Sequence, residues 1–198
     1  MLKNFRYRDR NGLIYMTYLL ILINTGVLLI QSLFPSFQNL FMLHPLGTES
    51  HWIFQYFTAC FLHANFIHLL MNMMALYFFG VFMEERFGRI KFISLYLVSG
   101  VLANILWHTF SSPDMPALGA SGAVFGIFAA LAMFVPNQKV LAFFIIPAKL
   151  WMVVSIVLLI EIVLMIFPIE GDNMGHMVHV MGALVGVLYY IFFLRKHR

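Results

Sequence analysis

The sequence predicts an all-α membrane protein, a bundle of six transmembrane helices forming one domain over residues 1–198. Three observations carry that prediction. The chain is 62% hydrophobic and only 10% charged, with a mean hydropathy of +0.90. A soluble domain carries about 25% charged residues, so this chain lacks the polar side chains to cover itself in water. Six apolar runs, near 13–33, 64–83, 91–110, 119–135, 148–167 and 176–194, approach the roughly 20 residues a helix needs to cross a bilayer. Finally, the twelve Lys and Arg residues fall only at 3, 6, 8 and 10, at 86, 89 and 91, at 139 and 149, and at 195, 196 and 198. These are alternate connections of a six-span chain, and basic residues mark the cytoplasmic side. Both termini are therefore expected in the cytoplasm. The formal charge of +4 reads as a topology signal with some attraction to anionic lipid, and implies no nucleic-acid partner.

The first span follows the basic stretch MLKNFRYRDR. It is too long for a signal-peptide core and no A-x-A-like site follows, so it is read as a retained helix. The connection 34–57, FPSFQNLFMLHPLGTESHWIFQYF, is long and aromatic. It is expected to lie in the membrane interface, folded back against the bundle, with His44 and His51 interfacial. In span 2, His68 and Asn72 are four apart and share a helix face, while His63 points elsewhere and is read as structural. Span 4 is short and opens on G-A-S-G-A-V-F-G at 119–126. Span 5 holds a single acid, Glu161, about six residues or roughly 9 Å from its outer end, read as facing the bundle. Span 6 begins G-H-M-V-H-V-M-G-A-L-V-G at 175–186, with His176 placed beside His179 as a supporting or cap residue. The single cysteine, Cys60, excludes an intrachain disulfide framework and a cysteine metal cage.

Polar groups inside spanning helices are expensive and each needs a reason. Gly122 and Gly126 form one G-x-x-x-G surface, with Gly119 just ahead of it; Gly182 and Gly186 form another. Such surfaces let two helices approach closely. Ser121 and His179 each stand just outward of their glycines, and both helices run from outside to inside. The hydroxyl and the imidazole thus lie at similar depth. A serine is a poor nucleophile until a base takes its proton, and His179 supplies the base. Glu170 and Asp172 belong to an outer loop, so the economical expectation is a Ser121–His179 dyad. The start of a helix offers free N–H groups and a positive dipole end for an oxyanion, and His68 and Asn72 supply further donors. No cofactor and no metal are expected: no H-E-x-x-H occurs. A competing reading takes His68, His108, His176 and His179 as haem or metal ligands, but leaves the position of Ser121 without a reason.

These motifs resemble the rhomboid intramembrane serine proteases. G-A-S-G at 119–122, H-x-x-x-x-H-x-x-x-N at 63–72, H-x-x-G-x-x-x-G at 179–186 and E-x-R-x-G at 84–88 carry the resemblance, which covers nearly the whole chain as the minimal six-helix form. It implies a rhomboid-like bundle and a catalytic Ser121–His179 pair, with His68 and Asn72 assisting at the oxyanion. The substrates it implies are transmembrane segments of membrane proteins, cut at small residues in helices that unwind easily. The expected location is a bacterial plasma membrane. The resemblance further implies that span 5 and the cap at 168–175 move to admit substrate, and that Glu84 and Arg86 fasten the cytoplasmic turn. A second role for Glu161, coupling that gate to pH or to a polar partner, is then open. The chain departs from the family at Phe54 and Gln55, where many members carry Trp-Arg.

Overall fold

A computed structural model describes residues 16–110, 116–142, 145–169 and 175–197. The basic stretch 1–10, the start of the first span at 13–15, Asp114, and most of the 168–175 cap with Glu170 and Asp172 lie outside the described residues. The chain is mostly helical. Helix α1 spans Met16–Leu33, and α2, Pro35–Phe41, and α3, Gln55–Thr58, lie in the connection that follows. Helices α4, Phe66–Ala75, and α5, Val81–Phe87, are joined by a wider turn at Leu76–Gly80 into one apolar rod, Phe66–Phe87. Then come α6, Arg89–Phe110, α7, Ser121–Phe134, α8, Leu150–Ile166, and α9, His176–Tyr189, which a similar wide turn extends to Leu194. Four of these rods are at least 18 residues long and apolar enough to cross a membrane: Met16–Leu33, Phe66–Phe87, Arg89–Phe110 and His176–Leu194. Two shorter apolar helices, α7 and α8, complete the set. The protein is thus a multi-pass integral membrane protein.

Helix α7 is the axis of the bundle. Nine of its residues are buried, on every side, from Gly122 to Phe134, whereas α6 buries Phe92, Leu95, Tyr96, Ser99, Gly100, Ala103, Asn104 and His108. That spacing of three and four is one stripe of a helix facing a core. A helix buried all round belongs at the centre, and small side chains at Ala123, Ala129 and Ala130 let its neighbours close on it.

The all-α expectation needs one correction. Residues between α7 and α8 form a two-stranded antiparallel hairpin, β1 Lys139–Ala142 and β2 Ile146–Lys149, pairing Lys139 with Lys149 and Ala142 with Ile146. Pro136, which cannot continue a helix, follows directly on α7, and Leu150 and Trp151 donate their N–H groups back to the carbonyls of Gln138 and Pro136. Pairing the two strands satisfies part of the segment's backbone internally.

The connection 34–65 packs against the bundle through side chains as well as backbone. Gln55 is fully buried. Its Oε1 accepts from the N–H groups of His44 at 3.2 Å and Trp52 at 3.1 Å, and its Nε2 donates to the carbonyls of Leu40 at 3.0 Å and Ser50 at 2.9 Å. Asn104 of α6 donates to the carbonyl of Tyr56, whose hydroxyl bonds His108 Nδ1 at 2.9 Å. At the other end of the bundle Glu84 accepts from the N–H of Met16, the N–H of Thr17 and the Thr17 hydroxyl at 2.7–2.9 Å. A carboxylate at the start of α1 meets free N–H groups and the positive end of the dipole. Arg86 stands over the Phe134 ring, 5.1 Å from its centroid.

Candidate active site

Ser121 is the first residue of α7 and His179 lies one turn into α9. What lets them meet is the contact between these two helices. A Cβ added at Gly182 would fall on the carbonyl oxygen of Gly122, and one at Gly186 on that of Gly126. At Gly122 it would stand 3.0 Å from Val178 and 3.1 Å from Ala103, and at Gly126 it would overlap Ser99. Backbone therefore meets backbone along two helical turns, and at Gly182 and Gly186 no other residue type fits. Above this seam the Ser121 hydroxyl and His179 Nε2 share a hydrogen bond of 2.8 Å. The imidazole stacks flat on the Phe125 ring, centroids 4.4 Å apart and planes 5° from parallel.

Gly119 holds the turn before α7. Its φ of +138° is a conformation that side chains rarely adopt, and a Cβ there would meet His68 Cε1 at 2.9 Å and Nε2 at 3.1 Å. The His68 ring is thus packed against the turn that carries Ser121. Its Nδ1 faces the Ala64 N–H at 3.4 Å; an accepting Nδ1 leaves the proton on Nε2, the nitrogen beside Gly119. Asn65 caps α4, accepting from the His68 N–H at 2.8 Å, and so fixes where that helix begins. Asn72 Nδ2 donates to the His68 carbonyl at 3.0 Å, which uses one of its two N–H groups. The backbone leading to Ser121 is pinned from the other side: Leu43 and Ala117 exchange both hydrogen bonds, at 2.9 and 2.8 Å, and the Gly119 N–H donates to Ala59 at 2.9 Å.

Asn104 and His108 lie elsewhere, while the His63 ring packs edge-on against His68, centroids 5.1 Å apart. His63 is fully buried before α4, where burial and the neighbouring His68 push its pKa down to about 4. Its backbone exchanges two hydrogen bonds of 3.1 Å with the Gln31 side chain of α1. Asn104 and His108 hold Tyr56 of the connection 34–65.

One neighbour of His179 was not legible beforehand. Glu161 of α8 places Oε2 2.9 Å from His179 Nδ1 and 2.7 Å from His176 Nδ1. All three side chains are buried. Their ligand-type atoms lie within 4.8 Å of one another, a spacing that could hold a metal ion. The sequence signal for this contact was the cost of a lone carboxylate in an otherwise apolar helix.

A mostly helical membrane bundle with a serine and a histidine in contact at the head of a glycine seam is an architecture that comparison with known proteins assigns to a family. Residues 50–196 match the Rhomboid domain, and the chain belongs to the rhomboid family. It is 38% identical over 112 residues to the chloroplastic Rhomboid-like protein 11 of Arabidopsis thaliana, covering 56% of this chain and 39% of that protein. It is 36% identical over 83 residues to the putative rhomboid protease YdcA of Bacillus subtilis, covering 42% of each. It is also 31% identical over 84 residues to Inactive RHOMBOID-like protein 8 of Arabidopsis thaliana, covering 42% of this chain and 24% of that protein. The matched regions span less than half the length of each of these relatives, and the family includes inactive members.

Proposed function

We propose that this protein is an intramembrane serine endopeptidase that cleaves transmembrane segments of other membrane proteins with a Ser121–His179 dyad. The observation that carries the reading is the 2.8 Å hydrogen bond from Ser121 Oγ to His179 Nε2, held by a contact that only glycines allow. Ser121 Oγ attacks the scissile carbonyl carbon as its proton passes to His179 Nε2. The tetrahedral intermediate collapses, the C–N bond breaks, and His179 returns the proton to the departing amine. Water, deprotonated by the same nitrogen, then attacks the acyl-enzyme; the bond from the acyl carbon to Ser121 Oγ breaks, His179 returns the proton to Oγ, and the acid leaves. The oxyanion is met by the first N–H groups of α7, by His68 Nε2–H and by the second N–H of Asn72. Each such donor contributes on the order of 100- to 1,000-fold in rate.

The reading includes six spans in a single domain over residues 1–198, with both termini cytoplasmic in a bacterial plasma membrane. The alternating basic residues support it. Fourteen residues of α7 rise about 21 Å, short of the roughly 30 Å hydrocarbon core. Ser121 therefore begins below the outer surface, where water can reach it from above. The test is cleavage of a model transmembrane substrate in liposomes by wild type, Ser121→Ala and His179→Ala, with folding checked by thermal unfolding. Either substitution is expected to lower kcat by at least about 10,000-fold while the protein stays folded. A Ser121→Ala variant that cuts as fast as wild type would overturn the reading.

A further inference from the structure

We propose that Glu161 of α8 is a positioning residue for the reaction, fixing the tautomer and orientation of His179 through a direct hydrogen bond. The inference rests on the Ser121–His179 reading and adds to it a group from a third helix. An ionised carboxylate only accepts hydrogen bonds, so the Nδ1 atoms of both His176 and His179, at 2.7 and 2.9 Å from Glu161 Oε2, carry hydrogen. A neutral His179 with its proton on Nδ1 has a lone pair on Nε2, the nitrogen 2.8 Å from the Ser121 hydroxyl. The tautomer that general-base catalysis needs is thus selected by the carboxylate. When Nε2 takes the serine proton, the imidazolium that forms lies against a negative charge in a site with little water, where that charge acts strongly.

Three features argue that this contact serves the reaction. Glu161 touches the ring that hydrogen-bonds Ser121. His176 holds the same oxygen from the preceding turn of α9, so the carboxylate is fixed in direction. Finally, α8 buries only Leu150, Val154 and Glu161, and a buried carboxylate is a costly way to dock an apolar helix where leucine would do. The same three side chains have the spacing for a divalent cation, but the carboxylate already takes a hydrogen from each ring, and the direct bonds complete the cluster.

The experiment compares Glu161→Gln and Glu161→Asp with wild type, Ser121→Ala and His179→Ala in liposomes. Glu161→Gln is expected to lower kcat at least about 100-fold with KM within about threefold, because the amide can donate to Nδ1 and favour the wrong tautomer. Labelling of Ser121 by a fluorophosphonate should slow in parallel. Glu161→Asp, which keeps the charge, is expected to recover at least tenfold of the loss. In a Ser121→Ala background, Glu161→Gln should leave substrate affinity unchanged. Imidazole nitrogen NMR of the unmutated protein at neutral pH reads the same point independently, and should show His179 with hydrogen on Nδ1 and none on Nε2. Glu161→Gln with wild-type kcat, a raised KM at unchanged kcat, or the opposite tautomer would each overturn the proposal. So would wild-type cleavage abolished by a chelator and restored by zinc. If Ser121→Ala and His179→Ala are dead while Glu161→Gln is fully active, the dyad stands and only the role of Glu161 falls. If Ser121→Ala is active, the dyad reading itself has failed.

Discussion

His179 is held from two sides by opposite means. Toward α7 the contact is bare backbone, with Gly182 against Gly122 and Gly186 against Gly126. Toward α8 it is one carboxylate on a helix with three buried residues. The first is a rigid fit that tolerates no added atom. The second is a directional bond carried by a helix that turns much of its surface outward, Leu159 at 61% exposure and Val163 at 45% among it. A spanning helix gains little from apolar contact with another, because lipid is as apolar as leucine. Close packing and polar bonds are what remain, and the two faces of α9 use one each.

That contrast can be broken most severely at the seam. Gly186→Leu would drive a side chain into the Gly126 backbone, and the two helices would have to separate. The expected result is a loss of at least about 100-fold in cleavage, since a displacement of about 1 Å at a reacting pair is enough for that. It should come with a clear fall in Tm. Retained activity and Tm would show that the seam yields. A polar anchor away from α9 gives a smaller, purely structural effect. Gln55→Leu strands two carbonyls and two N–H groups of the connection 34–65, and is expected to cost at least about 4 kcal/mol, at roughly 1 kcal/mol or more per group that water cannot reach. Thermal unfolding would measure it; an unchanged Tm would mean that the loop is held elsewhere. The mildest test is on α8 itself. Val154→Ala, at a buried position, should cost about 1 kcal/mol, and Leu159→Ala, facing outward, less than about 0.5 kcal/mol. Equal costs at both positions would mean that α8 is packed more evenly than its burial shows.

Much of the bundle is legible in the sequence because lipid imposes a simple rule on each helix. The apolar runs at 91–110 and 176–194 fall within two residues of the observed rods Arg89–Phe110 and His176–Leu194. The glycines at 122, 126, 182 and 186 are readable for a related reason, since small residues four apart in an apolar helix mark a close approach. The hairpin at 139–149 is not legible by that rule, because KVLAFFIIPAK is as apolar as a helix and too short for periodicity to decide. The partner of Glu161 was hidden for another reason. Its cost to α8 could be read from one segment, but its contact with His179 depends on how α8 and α9 are rotated about their own axes. Gln55 hid in the same way: its four backbone partners lie at 40, 44, 50 and 52, and only a folded loop brings them together.

Gln55 also sets the working range of the loop it centres. The side chain carries no charge and has no titration, so its bonds do not respond to acidity as a carboxylate or imidazole would. Nor does salt screen them, because screening acts on net charges. The clasp that Gln55 makes within the connection is therefore indifferent to ionic strength. A neutral amide at the centre of the loop thus keeps one geometry while pH and salt around it vary.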